Sequence, residues 1–177
     1  MSQELEIEKT YLLKHLPDGL LKSSFKDIED LYLPKGAVHA HLRIRKAGDS
    51  YVITKKEPVP GESASIHEEH NIKLTVSEFA ALQNCNCDRI RKRRFYYQYN
   101  NRVVEVDIFF GQLSGLALAD FEFSSKEEMA EFKIPDFCLA DVTEEDFIAG
   151  GVLCRQSFDS LLPELNRYQY QPINFIN

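Results

Sequence analysis

The chain has 177 residues, 44% of them hydrophobic and 28% charged, which suits one soluble globular domain over residues 1–177. No long apolar run and no signal-peptide pattern at the start is present, so membrane and secretory readings are disfavoured and a cytoplasmic location is expected. The formal net charge of −7 excludes a general nucleic-acid binder, so any anion site must be a local concentration of Arg and Lys.

The first element is ELEIEKTY, residues 4–11. Read as a strand, it places Glu4, Glu6 and Glu8 on one face and Leu5 and Ile7 on the other. HLPDG (His15–Gly19) is a turn signal. HAHLRIRK then puts His39, His41, Arg43 and Arg45 on one face against Leu42 and Ile44, and KAGDS (Lys46–Ser50) reads as a hairpin turn. SYVITKK groups Val52, Thr54 and Lys56 opposite Tyr51 and Ile53, and EPVPGES (Glu57–Ser63) reads as a loop. SIHEEHNIKL alternates less cleanly, with His67, Glu69 and Asn71 on one parity.

Helical spacing marks Thr75–Cys85, with Ser77 as the expected N-cap and Phe79 and Leu82 on one face. DRIRKRRFYYQY has Lys92 and Arg94 on one parity and Arg91, Arg93 and Phe95 on the other. RVVEVDIFF sets Glu105 and Asp107 against Val104, Val106 and Ile108, and LALADFEFSS sets Asp120 and Glu122 against Phe121 and Phe123. SSKEEMAEF (Ser124–Phe132) reads as a short helix capped by Ser124 or Ser125. Gly151–Leu165 reads as one C-terminal helix, ended or kinked near Pro163.

At least six segments therefore pair an apolar face with a charged one. The charges come as same-sign doublets at spacing two, whereas ordinary solvent faces mix signs and carry more Ser, Thr, Gln and Asn. Acidic and basic doublets fall on different strands. That pattern suits a closed antiparallel barrel with a polar lining turned inward and apolar outer faces covered by helices. Arg and Lys in such a lumen suit a polyphosphate, and carboxylates suit Mg²⁺ or Mn²⁺, so the lining fits metal-assisted phosphoryl transfer.

Other sites are weaker. Cys85, Cys87, Cys138 and Cys154 read as free thiols, and Cys85-Asn-Cys87 lacks a partner pair at zinc spacing. RIRKRRF has no wider basic surface to make an RNA site.

The motifs in this order resemble the CYTH domain family, the triphosphate tunnel metalloenzymes. EIEKTYLL (Glu6–Leu13) is similar to the family's opening Glu-x-Glu-x-Lys. Arg-x-Arg in LRIRK, Thr-x-Lys in ITKK, Lys-x-Arg in KRRF, Glu-x-Asp in VEVDIFFG and the acids of GLALADFEF follow, over about residues 4–142. The resemblance implies an α+β fold: a closed eight-stranded antiparallel β-barrel, a tunnel with a polar interior, flanked by helices. It implies a cofactor, Mg²⁺ or Mn²⁺, held among Glu6, Glu8, Glu69, Glu105, Asp107, Asp120 and Glu122. It implies triphosphate binding by Arg43, Arg45, Lys56, Lys92 and Arg94, with Glu6, Glu8, Arg43 and Lys56 as the catalytic set. The implied partner is a triphosphate-containing small molecule, with no nucleic acid and no membrane, and the resemblance allows a homodimer.

The expected activity is divalent-metal-dependent hydrolysis of inorganic tripolyphosphate or an organic triphosphate. The alternatives are a class IV-type adenylate cyclase and a non-catalytic polyphosphate- or nucleotide-binding module. The chain departs from the pattern in three places. The signature lysine falls on Thr10, with Lys9 expected to face outward; His67 and Asn71 stand where many relatives carry acids; and Asp141–Arg155 differs and is acidic.

Overall fold

The computed structural model describes residues 2–175, with side chains from residue 6 onward, so the Glu4 side chain lies outside the described residues. Nine strands form one sheet: β1 (Ser2–Leu13), β2 (Phe25–Leu33), β3 (Leu42–Ala47), β4 (Ser50–Pro58), β5 (Ile66–Leu74), β6 (Asp88–Tyr99), β7 (Arg102–Phe109), β8 (Ala117–Glu122) and β9 (Cys138–Asp141). The order is β5-β4-β3-β2-β6-β7-β8-β1-β9, with a further β5–β1 pairing, and the paired strands run antiparallel. β1 makes the closure. Its residues 2–7 pair with β5 and its residues 8–12 with β8, so β1 to β8 form a closed eight-stranded barrel. β9 adds to the C-terminal half of β1.

Turn chemistry sets the register. Asn100 and Asn101 both adopt left-handed backbone, φ 47° and 63°, and join β6 to β7 with only two residues between paired Tyr99 and Arg102. Asn tolerates that conformation better than most residues, and paired left-handed residues match the twist of a hairpin. The resulting register puts Arg94 directly opposite Asp107.

The outward faces bury apolar side chains under the helices. Tyr11, Val104, Val106, Ala119 and Phe121 form one cluster, packed by Met129 and Phe132 from and just after α2 (Lys126–Glu131) and by Phe175. Leu31 and Ile44 form another with Phe79 of α1 (Val76–Leu82). A third cluster lies at one end of the barrel. There Leu12, Ile90, Phe109 and Leu118 meet Leu153 of α3 (Gly150–Leu153) and Leu161 and Leu165 of α4 (Phe158–Arg167). These strand residues share parity with Thr10, Lys92, Asp107 and Asp120, so they face inward. The lining is therefore charged along part of each strand and apolar where the C-terminal helices fill the barrel end.

Four local expectations are corrected. Thr75, not Ser77, caps α1: its hydroxyl accepts from Glu78 N–H, while the Glu78 carboxylate accepts from Thr75 N–H at 2.7 Å. This reciprocal pair satisfies two helix-start donors that a cap two residues later would leave open. The single helix expected over Gly151–Leu165 is two helices, because Ser157 caps a new one. Pro163 does not end that helix: α4 runs on to Arg167, and the residue whose carbonyl loses its partner, Asp159, is exposed to water. β4 also runs through Glu57 and Pro58, shortening the expected loop.

Candidate active site

A cavity of about 640 Å³ lies inside the barrel. Every candidate residue named from the sequence lines it: Glu6 and Glu8 from β1, Arg43 and Arg45 from β3, Lys56 from β4, Glu69 from β5, Lys92 and Arg94 from β6, Glu105 and Asp107 from β7, and Asp120 and Glu122 from β8. Strand alternation puts each of them inward, and the closed ring brings them together.

The bases do not float free. Asp107 is 1% exposed and takes ion pairs from both Lys92 and Arg94. Burial works against its ionisation, but the Arg94 and Lys92 charges outweigh burial and hold its pKa well below the usual carboxylate range. Arg94 also pairs with Glu105, and reaches Asp120 at 3.3 Å. Arg45 grips Asp30 with two bonds of 2.7 Å, from Nε and Nη2. Arg43 Nη2 donates to Glu69 Oε1 at 3.0 Å, and Glu69 also accepts from Asn71. Arg43 Nε is buried and has no hydrogen-bond partner among the described residues.

Lys56 serves the first strand. Its Nζ lies 2.9 Å from Glu6 Oε2 and closer still to Glu8 Oε1. Burial drives the Glu6 carboxyl up to about 7 against the pull of Lys56, and the Glu8 and Glu69 charges push the same way. Burial works to raise Glu8 as well, but there Lys56 wins and the pKa is lowered. Glu8 stands directly opposite Glu122 in the β1–β8 register. Like charges so placed repel. Glu122 is raised by burial and by Glu105 and Glu8.

Thr10 faces inward and donates its hydroxyl to Asp120 Oδ1 at 2.7 Å, while Lys9 faces outward and pairs with Asp141 at 3.2 Å. Burial, with Asp107 and Glu8 nearby, pushes Asp120 up to about 7. His67 also lines the cavity, and burial followed by Lys56 drives it down to about 4, so it is neutral at pH 7.

Several lining residues had no sequence signal strong enough to single them out. Asp30 and Tyr32 come from β2, whose inward row of Lys26, Ile28, Asp30 and Tyr32 contains no same-sign doublet. Residues 143–146 and the Gly150-Gly151 pair border the cavity from the C-terminal segment.

The donor set fits a divalent cation. Eight strand carboxylates line the cavity against five bases. A polyanion entering that excess of negative charge needs cations brought in with it. The carboxylates offer the hard oxygen ligands that Mg²⁺ and Mn²⁺ prefer. Among the described residues no three His, Cys, Asp or Glu side chains already converge as a metal-holding group.

Comparisons with known proteins agree with this geometry. The CYTH domain model matches residues 6–135. An inorganic triphosphatase of Nitrosomonas europaea is 30% identical over 142 residues, covering 79% of this chain and 90% of that protein. An inorganic triphosphatase of Acetivibrio thermocellus is 31% identical over 105 residues, covering 58% of this chain and 64% of that protein. Among solved structures, that of an inorganic triphosphatase superposes with a TM-score of 0.62 at 27% identity, covering 84% of this chain and 93% of the other. The chain belongs to the CYTH domain family.

Proposed function

We propose that the tunnel hydrolyses triphosphate compounds, inorganic tripolyphosphate first among them, with a divalent cation as cofactor. The observation that carries this reading is the cavity itself, in which five bases and eight strand carboxylates line one closed space.

The chain's own groups divide the work. Arg43, Arg45, Lys56, Lys92 and Arg94 hold the phosphates in place and draw off their charge, which is most of what phosphoryl transfer needs from a protein. Asp30, Glu69 and Asp107 fix the guanidinium and ammonium groups, so little ordering is left to be done when substrate enters. Glu6, Glu8 and Glu122 are the acids that would hold Mg²⁺ or Mn²⁺, which when bound polarises phosphate oxygens and lowers the pKa of a bound water. Net hydrolysis adds one water across the terminal P–O–P bond, giving orthophosphate and pyrophosphate from tripolyphosphate. The two relatives named inorganic triphosphatase support this reaction.

The test supplies purified protein with tripolyphosphate, thiamine triphosphate or ATP, each with Mg²⁺ or Mn²⁺, and measures orthophosphate, pyrophosphate and cyclic AMP. Orthophosphate from tripolyphosphate is expected. Cyclic AMP from ATP in its place, or tight binding without turnover, overturns the reading.

A further inference from the structure

The inference concerns Lys56 and rests on the reading above that Glu6 and Glu8 hold the divalent cation. The Lys56 ammonium is within ion-pair distance of both carboxylates, Glu6 at 2.9 Å and Glu8 closer. It therefore stands where a cation shared by those two side chains would stand. The ammonium and a metal ion repel each other at this distance and compete for the same two carboxylates, so a metal ion entering the pair favours displacement of the ammonium. No carboxylate trio in the described part of the cavity offers a ready alternative.

Lys56 is also better suited to move than the arginines. Arg94 is fixed by Asp107 and Glu105, and Arg45 by both oxygens of Asp30. Lys56 carries a compact charge on a flexible stem with freely rotating donors, whereas arginine holds a rigid planar fork. Its register partner in β5 is Glu69, which is already engaged by Arg43 and Asn71.

We propose that Lys56 is an internal counter-ion that keeps the Glu6–Glu8 pair closed to a divalent cation until a triphosphate draws the ammonium away. In the empty tunnel the ammonium offsets one of the two carboxylate charges, and metal alone binds weakly. When triphosphate arrives, the ammonium turns to its oxygens and the vacated carboxylates accept metal. Metal and triphosphate then strengthen each other's binding, and the coupling passes through one side chain.

The test titrates Mn²⁺ into wild-type, Lys56→Met and Lys56→Arg protein without phosphate at mildly alkaline pH, counting free Mn²⁺ by electron paramagnetic resonance. Lys56→Met is expected to bind Mn²⁺ about tenfold tighter than wild type, within the range of ordinary site-to-site coupling. Lys56→Arg, which keeps the charge, is expected to bind no tighter than wild type. Equal or weaker Mn²⁺ binding by folded Lys56→Met overturns the proposal. A measurement on the wild-type protein covers a variant that fails to fold. The ¹⁵N signal of the Lys56 ammonium should move when Mg²⁺ and an imido analogue of tripolyphosphate are added together, and stay put with Mg²⁺ alone. Movement with Mg²⁺ alone overturns the counter-ion role. Orthophosphate release from tripolyphosphate by wild type keeps the two readings apart: its absence sinks the triphosphatase reading, whereas its presence with unchanged Mn²⁺ affinity in Lys56→Met sinks only the counter-ion role.

Discussion

Thr10 and Asp120 face each other across the β1–β8 pair and share a hydrogen bond of 2.7 Å inside the tunnel. The resemblance places a lysine at this position, so the chain has a neutral hydroxyl where a positive charge would sit beside the phosphates. Asp120 is left short of a partner of opposite charge: Arg94 reaches it only at 3.3 Å, and burial pushes it up to about 7. Thr10→Lys should tighten tripolyphosphate binding roughly tenfold, the size of one added charge-assisted hydrogen bond. Isothermal titration with the imido analogue checks it. Unchanged affinity removes position 10 from the triphosphate site.

Arg43 makes a second prediction through its two nitrogens. Nη2 is engaged by Glu69 at 3.0 Å, while Nε is buried and has no hydrogen-bond partner among the described residues. Arg43→Ala should lower kcat/KM for tripolyphosphate on the order of a hundredfold or more, as loss of a preorganised donor does. Arg43→Lys should not restore the rate, because an ammonium cannot serve Glu69 and a phosphate oxygen with a fixed fork. A rate within about threefold of wild type in Arg43→Ala would take Arg43 out of the mechanism.

The sequence made the site legible for a definite reason. Alternation has a period of two, so a doublet such as Arg43/Arg45 or Glu105/Asp107 must share a face, and opposite apolar residues say which face meets the core. Glu6, Glu8, Lys92, Arg94, Asp120 and Glu122 all follow from that rule. It does not say where along the barrel axis the cavity stops. Leu12 continues the row of Glu8 and Thr10, and Leu118 that of Glu122 and Asp120, yet both are packed against the C-terminal helices. β2 was hidden because its charges fall on both faces: Asp27 and Glu29 meet Arg93 and Arg89 outside, while Asp30 meets Arg45 inside. β9 has only four residues, too few for a periodic signal. The break between α3 and α4 depends on the cap at Ser157, which an apolar spacing count passes over.

Asp30 gives the fold a pH dependence with a definite sign. It is 1% exposed; burial opposes its charge, but Arg45 outweighs burial and holds its pKa well below the carboxylate range. A folded-state pKa depressed below the unfolded value of about 3.9 means the stabilisation is present above about pH 4 and is lost as pH falls further. Asp30→Asn leaves Arg45 buried without a counter-charge and should cost about 3–5 kcal/mol at pH 7. The gap between wild type and variant should narrow as pH drops from 4 toward 3. Urea unfolding at pH 7 and pH 3 measures both, and a gap independent of pH would show that the Asp30–Arg45 charge pair is not what the substitution removes.

Gly150 and Gly151 are neighbours in α3 with different obstacles, and their substitutions should separate stability from activity. A Cβ on Gly151 would come 2.1 Å from the Ala40 carbonyl oxygen and 2.8 Å from its amide nitrogen. That backbone is held in place, since Ala40 N–H donates to the Gly151 carbonyl at 3.2 Å. A Cβ on Gly150 would come 2.1 Å from Tyr32 Oη, the far end of a side chain that lines the cavity. Replacing glycine by alanine in a helix gains about 1 kcal/mol of propensity at best, whereas overpacking against fixed atoms costs about 1–3 kcal/mol. Gly151→Ala should therefore lose net stability, seen as a lower thermal midpoint, because α3 must lift from the barrel end. Gly150→Ala should melt closer to wild type but show a changed KM for tripolyphosphate, because Tyr32 yields and moves within the cavity. The reverse pattern, with Gly150→Ala the less stable and Gly151→Ala the altered enzyme, would mean that α3 does not seat on Ala40 as described.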